Sequence, residues 1–127
     1  MKWKNDPDVQ AMMARLAAAT GMSHVRAERV FCVKSDGSKS RAIARIWSLP
    51  RVFQQCLGIE PAYVIEVISH RWDRLSADEK EKTIIHELLH IPQTFSGALV
   101  PHSCFGKRVV GSKQVEVIWQ KMRERSS

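Results

Sequence analysis

The sequence predicts an α+β fold: a small three-stranded sheet with a backing helix, a motif-bearing helix and a C-terminal helix. Three observations carry that reading. Runs rich in β-branched and aromatic residues occur at 25–34, 41–47 and 62–69. Apolar residues recur at helical spacing over 8–19 and 112–125. Ser76 and Glu79 spell an S-x-x-E capping box ahead of a segment with one apolar side. The length of 127 residues suits one compact domain spanning 1–127, and 44% hydrophobic with 26% charged residues fits a folded chain rather than a disordered one.

In chain order, the first helix is expected over 8–19, after Asp6-Pro7, with Val9, Met12, Met13, Leu16 and Ala17 on its buried side and Thr20-Gly21 as its stop. The stretch from Met1 to Ala19 superficially resembles a signal peptide, but Asp6, Asp8 and Arg15 interrupt it. The strands at 25–34 and 41–47 flank a run of turn formers, Ser35 to Ser40, which predicts that they pair with each other. Ser48 is the expected cap of a short helix with Pro50 in its first turn, ending at Gly58. Pro61 opens the third strand, 62–69, read as the sheet edge that aligns an extended peptide, with Glu66 solvated. The capped helix follows, its apolar side built from Ile84, Ile85, Leu88 and Leu89, and Pro92 prevents it from running far beyond His90. The last helix buries Val115, Ile118, Trp119 and Met122. Trp47, Trp72 and Trp119 read as core or rim aromatics.

Residues 86–90 read His-Glu-Leu-Leu-His, and His102 follows after eleven intervening residues. On a helix, positions four apart share a face, so His86 and His90 can reach one ion while Glu87 stays beside it. Three protein ligands, His86, His90 and His102, would leave a fourth position open on Zn²⁺, the mark of a catalytic rather than a structural site. Glu87, not itself a ligand, suits the general base and acid for a zinc-activated water that attacks a peptide bond. Glu116 on the last helix is the alternative third ligand. Gln93 and Ser96 occupy the positions where the longer H-E-x-x-H-x-x-G-x-x-H pattern needs Gly and His, so that pattern is excluded. Tyr63, His70 and Arg71, near the ends of the third strand, are candidate oxyanion donors.

Three cysteines, Cys32, Cys56 and Cys104, form neither an even set nor a C-x-x-C pair, which points to free thiols and a reducing cytoplasm. Cys104 lies two residues from His102 and is a minor candidate for metal contact. No apolar run approaches membrane-spanning length. The net charge of +7 is uneven: seven bases against two acids between His24 and Gln54, then seven acids against four bases between Ile59 and Glu87. A basic surface that binds nucleic acid is one reading of this, a solvated surface the other.

The chain resembles a family of small metallopeptidases of archaea and phages, over roughly 25–110. The resemblance rests on Ser38 to Ala42, on Ala44 to Trp47, on Tyr63 to Ile68, and on His86 to Pro92 continuing through Phe95-Ser96-Gly97 to His102. It implies a minimal zincin-like domain holding one Zn²⁺ on His86, His90 and His102, with Glu87 catalytic. A more distant similarity is to Spartan-type proteases, which digest proteins crosslinked to DNA; this chain lacks their recognisable DNA-binding or zinc-ribbon segment. A non-catalytic zinc or nucleic-acid-binding module is the remaining alternative, one in which Glu87 would be dispensable.

Overall fold

The computed structural model describes residues 1–126 and is a mixed α+β fold. The chain runs β1 (Lys2–Asn5), α1 (Pro7–Ala19), a 3₁₀ turn (Ala27–Arg29), β2 (Val30–Asp36), β3 (Ala44–Ser48), α2 (Arg51–Leu57) and β4 (Tyr63–Ile68). It continues through α3 (Ser69–Trp72), α4 (Ala77–Leu89), β5 (Ser103–Cys104), β6 (Lys107–Arg108) and α5 (Ser112–Ser126). The main sheet has four strands in the order β1-β2-β4-β3, and β5 pairs with β6 in a separate ribbon.

Three expectations about the sheet change. The short N-terminal segment before Asp6 is a fourth strand, β1, antiparallel to β2, with Trp3 opposite Ser35. β2 and β3 do not pair with each other, because β4 lies between them, parallel to β2 and antiparallel to β3. β4 is therefore central and β3 is the edge strand. The reason is burial. The Tyr-Val-Ile-Glu-Val-Ile run of β4 is covered on both faces, which suits an interior strand, whereas every residue of β3 keeps some exposure. The turn formers between β2 and β3 specify a reversal of direction but not whether a strand enters the gap.

Glu66 is correspondingly not solvated. It is fully buried on β4, opposite Arg45 of β3, and accepts hydrogen bonds from Arg45 Nε (2.9 Å), Arg45 Nη2 (3.2 Å) and Trp47 Nε1 (2.8 Å). Burial alone would raise its pKa, but the donors from Arg45 and Trp47, with the nearby Ser35 hydroxyl adding to them without meeting hydrogen-bond geometry, pull it down to about 2.

The helices share one side of the sheet. Val30, Cys32, Tyr63, Ile65 and Val67 face Val9, Met13 and Leu16 of α1, Ile84, Ile85 and Leu88 of α4, and Val115, Trp119 and Met122 of α5 in one core. Asp6 caps α1 by accepting from the amides of Asp8 and Val9, with Pro7 in the first turn. Ser76 and Glu79 complete the capping box of α4 reciprocally. α2 begins at Pro50 with no side-chain cap, so Ser48 instead ends β3; the Gly58 stop holds, in a left-handed conformation (φ 63°). α2 buries none of its residues. Among the described residues, no helix is long and apolar enough to cross a membrane.

Candidate metal centre

α4 sets the position of the site. Its buried side, Ile84, Ile85 and Leu88, anchors it to the core, so His86 and Glu87 turn toward a cavity at the core's margin, while His90 closes the helix as its C-cap. The backbone of the following loop then returns to the helix. Val100 N donates to His90 O (2.7 Å), and His90 Nδ1 donates to Val100 O (2.6 Å). Because a carbonyl can only accept, this bond fixes the proton on Nδ1 and leaves Nε2 free for a ligand. Val100 precedes Pro101, which favours the extended backbone the contact needs. Two residues further on, the carbonyl of His102 accepts from Val109 N (2.9 Å) and Val110 N (3.1 Å), tying it to the end of the β5–β6 ribbon.

The result is a cluster. One ring nitrogen from each of His86, His90 and His102 lies within 4.8 Å of the others, and the ring centroids are 4.6 to 5.4 Å apart. An all-imidazole donor set of this size fits a transition metal ion. Burial, reinforced by the neighbouring His90, His102 and Arg108, lowers His86 to a pKa of about 4, so the metal-free imidazole is neutral at pH 7, the form that ligates. His90 is lowered too, chiefly by burial, against its bond to Val100. Glu87 Oε2 lies 4.0 Å from His86 Nε2, beside the cluster but outside hydrogen-bond reach, and burial pushes its carboxyl up to about 7.

Tyr63 turns out to build the loop. Its buried hydroxyl donates to Ala98 O (2.8 Å) and accepts from Gly97 N (2.9 Å), and its ring meets Phe95 edge-on at 5.0 Å. With its proton committed to Ala98, this hydroxyl has none to offer an oxyanion. Gly97 adopts φ 94°, and a Cβ there would collide with the Gln54 side chain and the Leu49 carbonyl oxygen, so only glycine fits. His70 and Arg71 lie exposed on α3 and do not line the cavity beside Glu87. Glu116 does line it, yet stands apart from the imidazoles, with Oε2 2.8 Å from Lys82 Nζ and Oε1 accepting from Gln120. Cys104 is an exposed free thiol on β5, outside the cluster; Cys32 is buried and Cys56 exposed, both free.

That cavity measures about 530 Å³ and is walled by Ala42, Ile43 and Ala44 at the start of β3, by Thr83 and Glu87 of α4, and by Val115 of α5. Sequence reasoning missed this wall, because the approach of 41–44 to α4 depends on β3 being the edge strand. It also missed Arg108, whose charge reaches His86 and whose side chain occupies the space that a Cβ on Gly111 would fill.

Residues 1–124 match the family model described as “Putative phage metallopeptidase”. The chain belongs to this phage metallopeptidase family. No curated protein and no solved structure matches it. Membership indicates a metal-dependent peptidase, hence a hydrolase acting on peptide or protein, and the three clustered histidines are the residues that can hold its metal.

Proposed function

We propose that this phage metallopeptidase uses Zn²⁺ held by His86, His90 and His102, with Glu87 as the general base and acid of peptide-bond hydrolysis. The observation that carries this reading is the convergence of the three imidazoles with the Glu87 carboxylate beside them and not among them. When bound, Zn²⁺ supplies Lewis acidity and lowers the pKa of water toward about 7. Glu87 accepts the proton of the attacking water and delivers it to the leaving amine, a role that requires a carboxylate free of the metal. Its largely buried setting on the cavity wall suits a group that exchanges a proton with the reacting atoms.

The substrate lies extended along β3, the free edge, whose unpaired backbone groups can add a peptide strand. One side chain of that peptide enters the cavity walled by Ala42, Ile43, Thr83 and Val115, which favours an apolar residue beside the scissile bond. Arg108, whose charge reaches His86, and Arg41, which lines the cavity beside Glu87, are the cations that can steady the developing oxyanion, in the role first assigned to Tyr63, His70 and Arg71.

Zinc stoichiometry separates the two candidate third ligands. After purification with excess Zn²⁺ and desalting, His102→Ala retains less than half of the wild-type zinc, and Glu116→Ala retains all of it. The reverse pattern would sink the three-histidine assignment.

A further inference from the structure

Among the described residues no helix packs on the sheet's second face; Ser35, Glu66 and Ile68 on it are buried, and the exposed parts lie at Trp3, Phe31 and Trp47. The register places Trp3, Phe31, Val64, Glu66, Arg45 and Trp47 on the side opposite the helix-facing residues Val30, Cys32, Tyr63, Ile65 and Val67. Sheets that face water on one side ordinarily present alternating polar residues there. This one presents three aromatic residues, each about half exposed: Trp3 at 54%, Phe31 at 43% and Trp47 at 49%. Phe31 and Trp47 flank Val64 across the sheet, about 10 Å apart at ordinary strand spacing, and Trp3 lies further along on β1.

Guanidinium groups accompany two of these rings. Arg29 sits 5.8 Å from the Phe31 ring centroid and Arg45 sits 5.2 Å from that of Trp47. The Trp47 indole is fixed by its bond to Glu66. Charge on this face is one-sided. Glu66 is its only acid among the described residues, and it is buried and already paired with Arg45. Arg29 donates its hydrogen bonds to the backbone carbonyls of Glu60 and Pro61, which carry no formal charge, and Glu28 is the acid whose carboxylate feels its charge. β2 and β3 both come from the basic stretch between His24 and Gln54, and Lys39 lies in the segment that joins them, whereas Arg41 of that segment lines the cavity beside Glu87.

We propose that this open sheet face binds single-stranded nucleic acid, its bases stacking on Trp3, Phe31 and Trp47 and its phosphates meeting Arg29 and the neighbouring cations. Half-exposed rings, two of them beside guanidiniums, suit unpaired bases and a polyanionic backbone. A second copy of the chain fits less well, because it would bring two positively charged faces of a +7 protein together. A duplex hides the base faces and would leave the rings unused. The inference does not depend on peptide hydrolysis, since the face lies across the sheet from α4.

The test is fluorescence anisotropy of labelled oligothymidylate, oligouridylate and a DNA duplex of equal length, titrated with the zinc-loaded protein at low and at physiological salt. At least one single strand binds, more tightly than the duplex, weakens with salt and quenches indole fluorescence; which strand binds tighter names DNA or RNA as the ligand. The double variant Trp3→Ala/Phe31→Ala leaves the Glu66 cluster untouched and weakens binding about tenfold or more. The pair Lys121→Gln/Arg125→Gln, on α5, removes two positive charges away from this face as a control for net charge and changes binding by less than about threefold; circular dichroism and zinc content confirm that all variants fold. The proposal is overturned by absence of single-strand binding at low salt, by equal affinity of the aromatic double variant, by preference for the duplex, or by a wild-type dimer that the double variant dissociates.

Discussion

Glu66 makes the middle of the sheet sensitive to acid. Its carboxyl titrates at about 2 in the fold against an ordinary value of 4.5, so the unfolded chain takes up the proton first. The stabilisation is therefore fully present above about 4.5 and is lost as pH falls toward about 2; from the shift it is on the order of 3 kcal/mol. Glu66→Gln should lower the melting temperature at pH 7, and the difference from wild type should shrink steadily between pH 5 and about pH 2. A constant difference across that range would contradict the ion-pair account. Tyr63 acts at the same scale on the metal centre. Tyr63→Phe removes the bonds to Gly97 and Ala98 and leaves the buried Gly97 amide without a partner, while the Ala98 carbonyl lies on an exposed residue. Zinc affinity, measured by competition with a chelating dye, should fall by about tenfold, since the same loop delivers Val100 and His102.

Among the elements, α4 was the most legible. The capping box, the apolar side and Pro92 are local signals, and each appears where the sequence puts it, with His90 as the C-cap. Ser76→Ala should cost about 1 kcal/mol, or roughly 4 °C in melting temperature, without altering zinc content. The sheet was less legible. The positions of β3 and β4 follow from their residue types; β2 is displaced, starting at Val30 after a 3₁₀ turn rather than at Val25 and running through Ser35 to Asp36, and the strand order does not follow, because β-propensity says nothing about which strand a neighbour pairs with. β1 was hidden by its composition, Lys-Trp-Lys-Asn, which becomes a strand only because the edge of β2 is there to pair with. The ribbon of β5 and β6 is two residues long on each side and gave no periodic signal at all.

At the scale of the whole molecule, the core of sheet, α1, α4 and α5 is separate from the segment between Ile91 and Val110, which hangs on a few hydrogen bonds and on Phe95. Removing zinc should therefore leave most of the far-ultraviolet circular dichroism intact, while zinc binding raises the melting temperature as mass action requires. The histidine pattern was legible because it is a matter of spacing. The loop that bends it into a centre was not, since Tyr63, Gln54 and Gly97 cooperate across 34 to 43 residues of chain. The central claim is that this centre hydrolyses peptide bonds with Glu87 as proton carrier. Its most direct test is the cleavage rate of an unstructured peptide library by the zinc-loaded protein and by Glu87→Gln of equal zinc content. The account predicts cleavage by the wild type that a chelator stops, with a loss of at least about a hundredfold in Glu87→Gln; equal rates for the two proteins, or no cleavage by either, would contradict it.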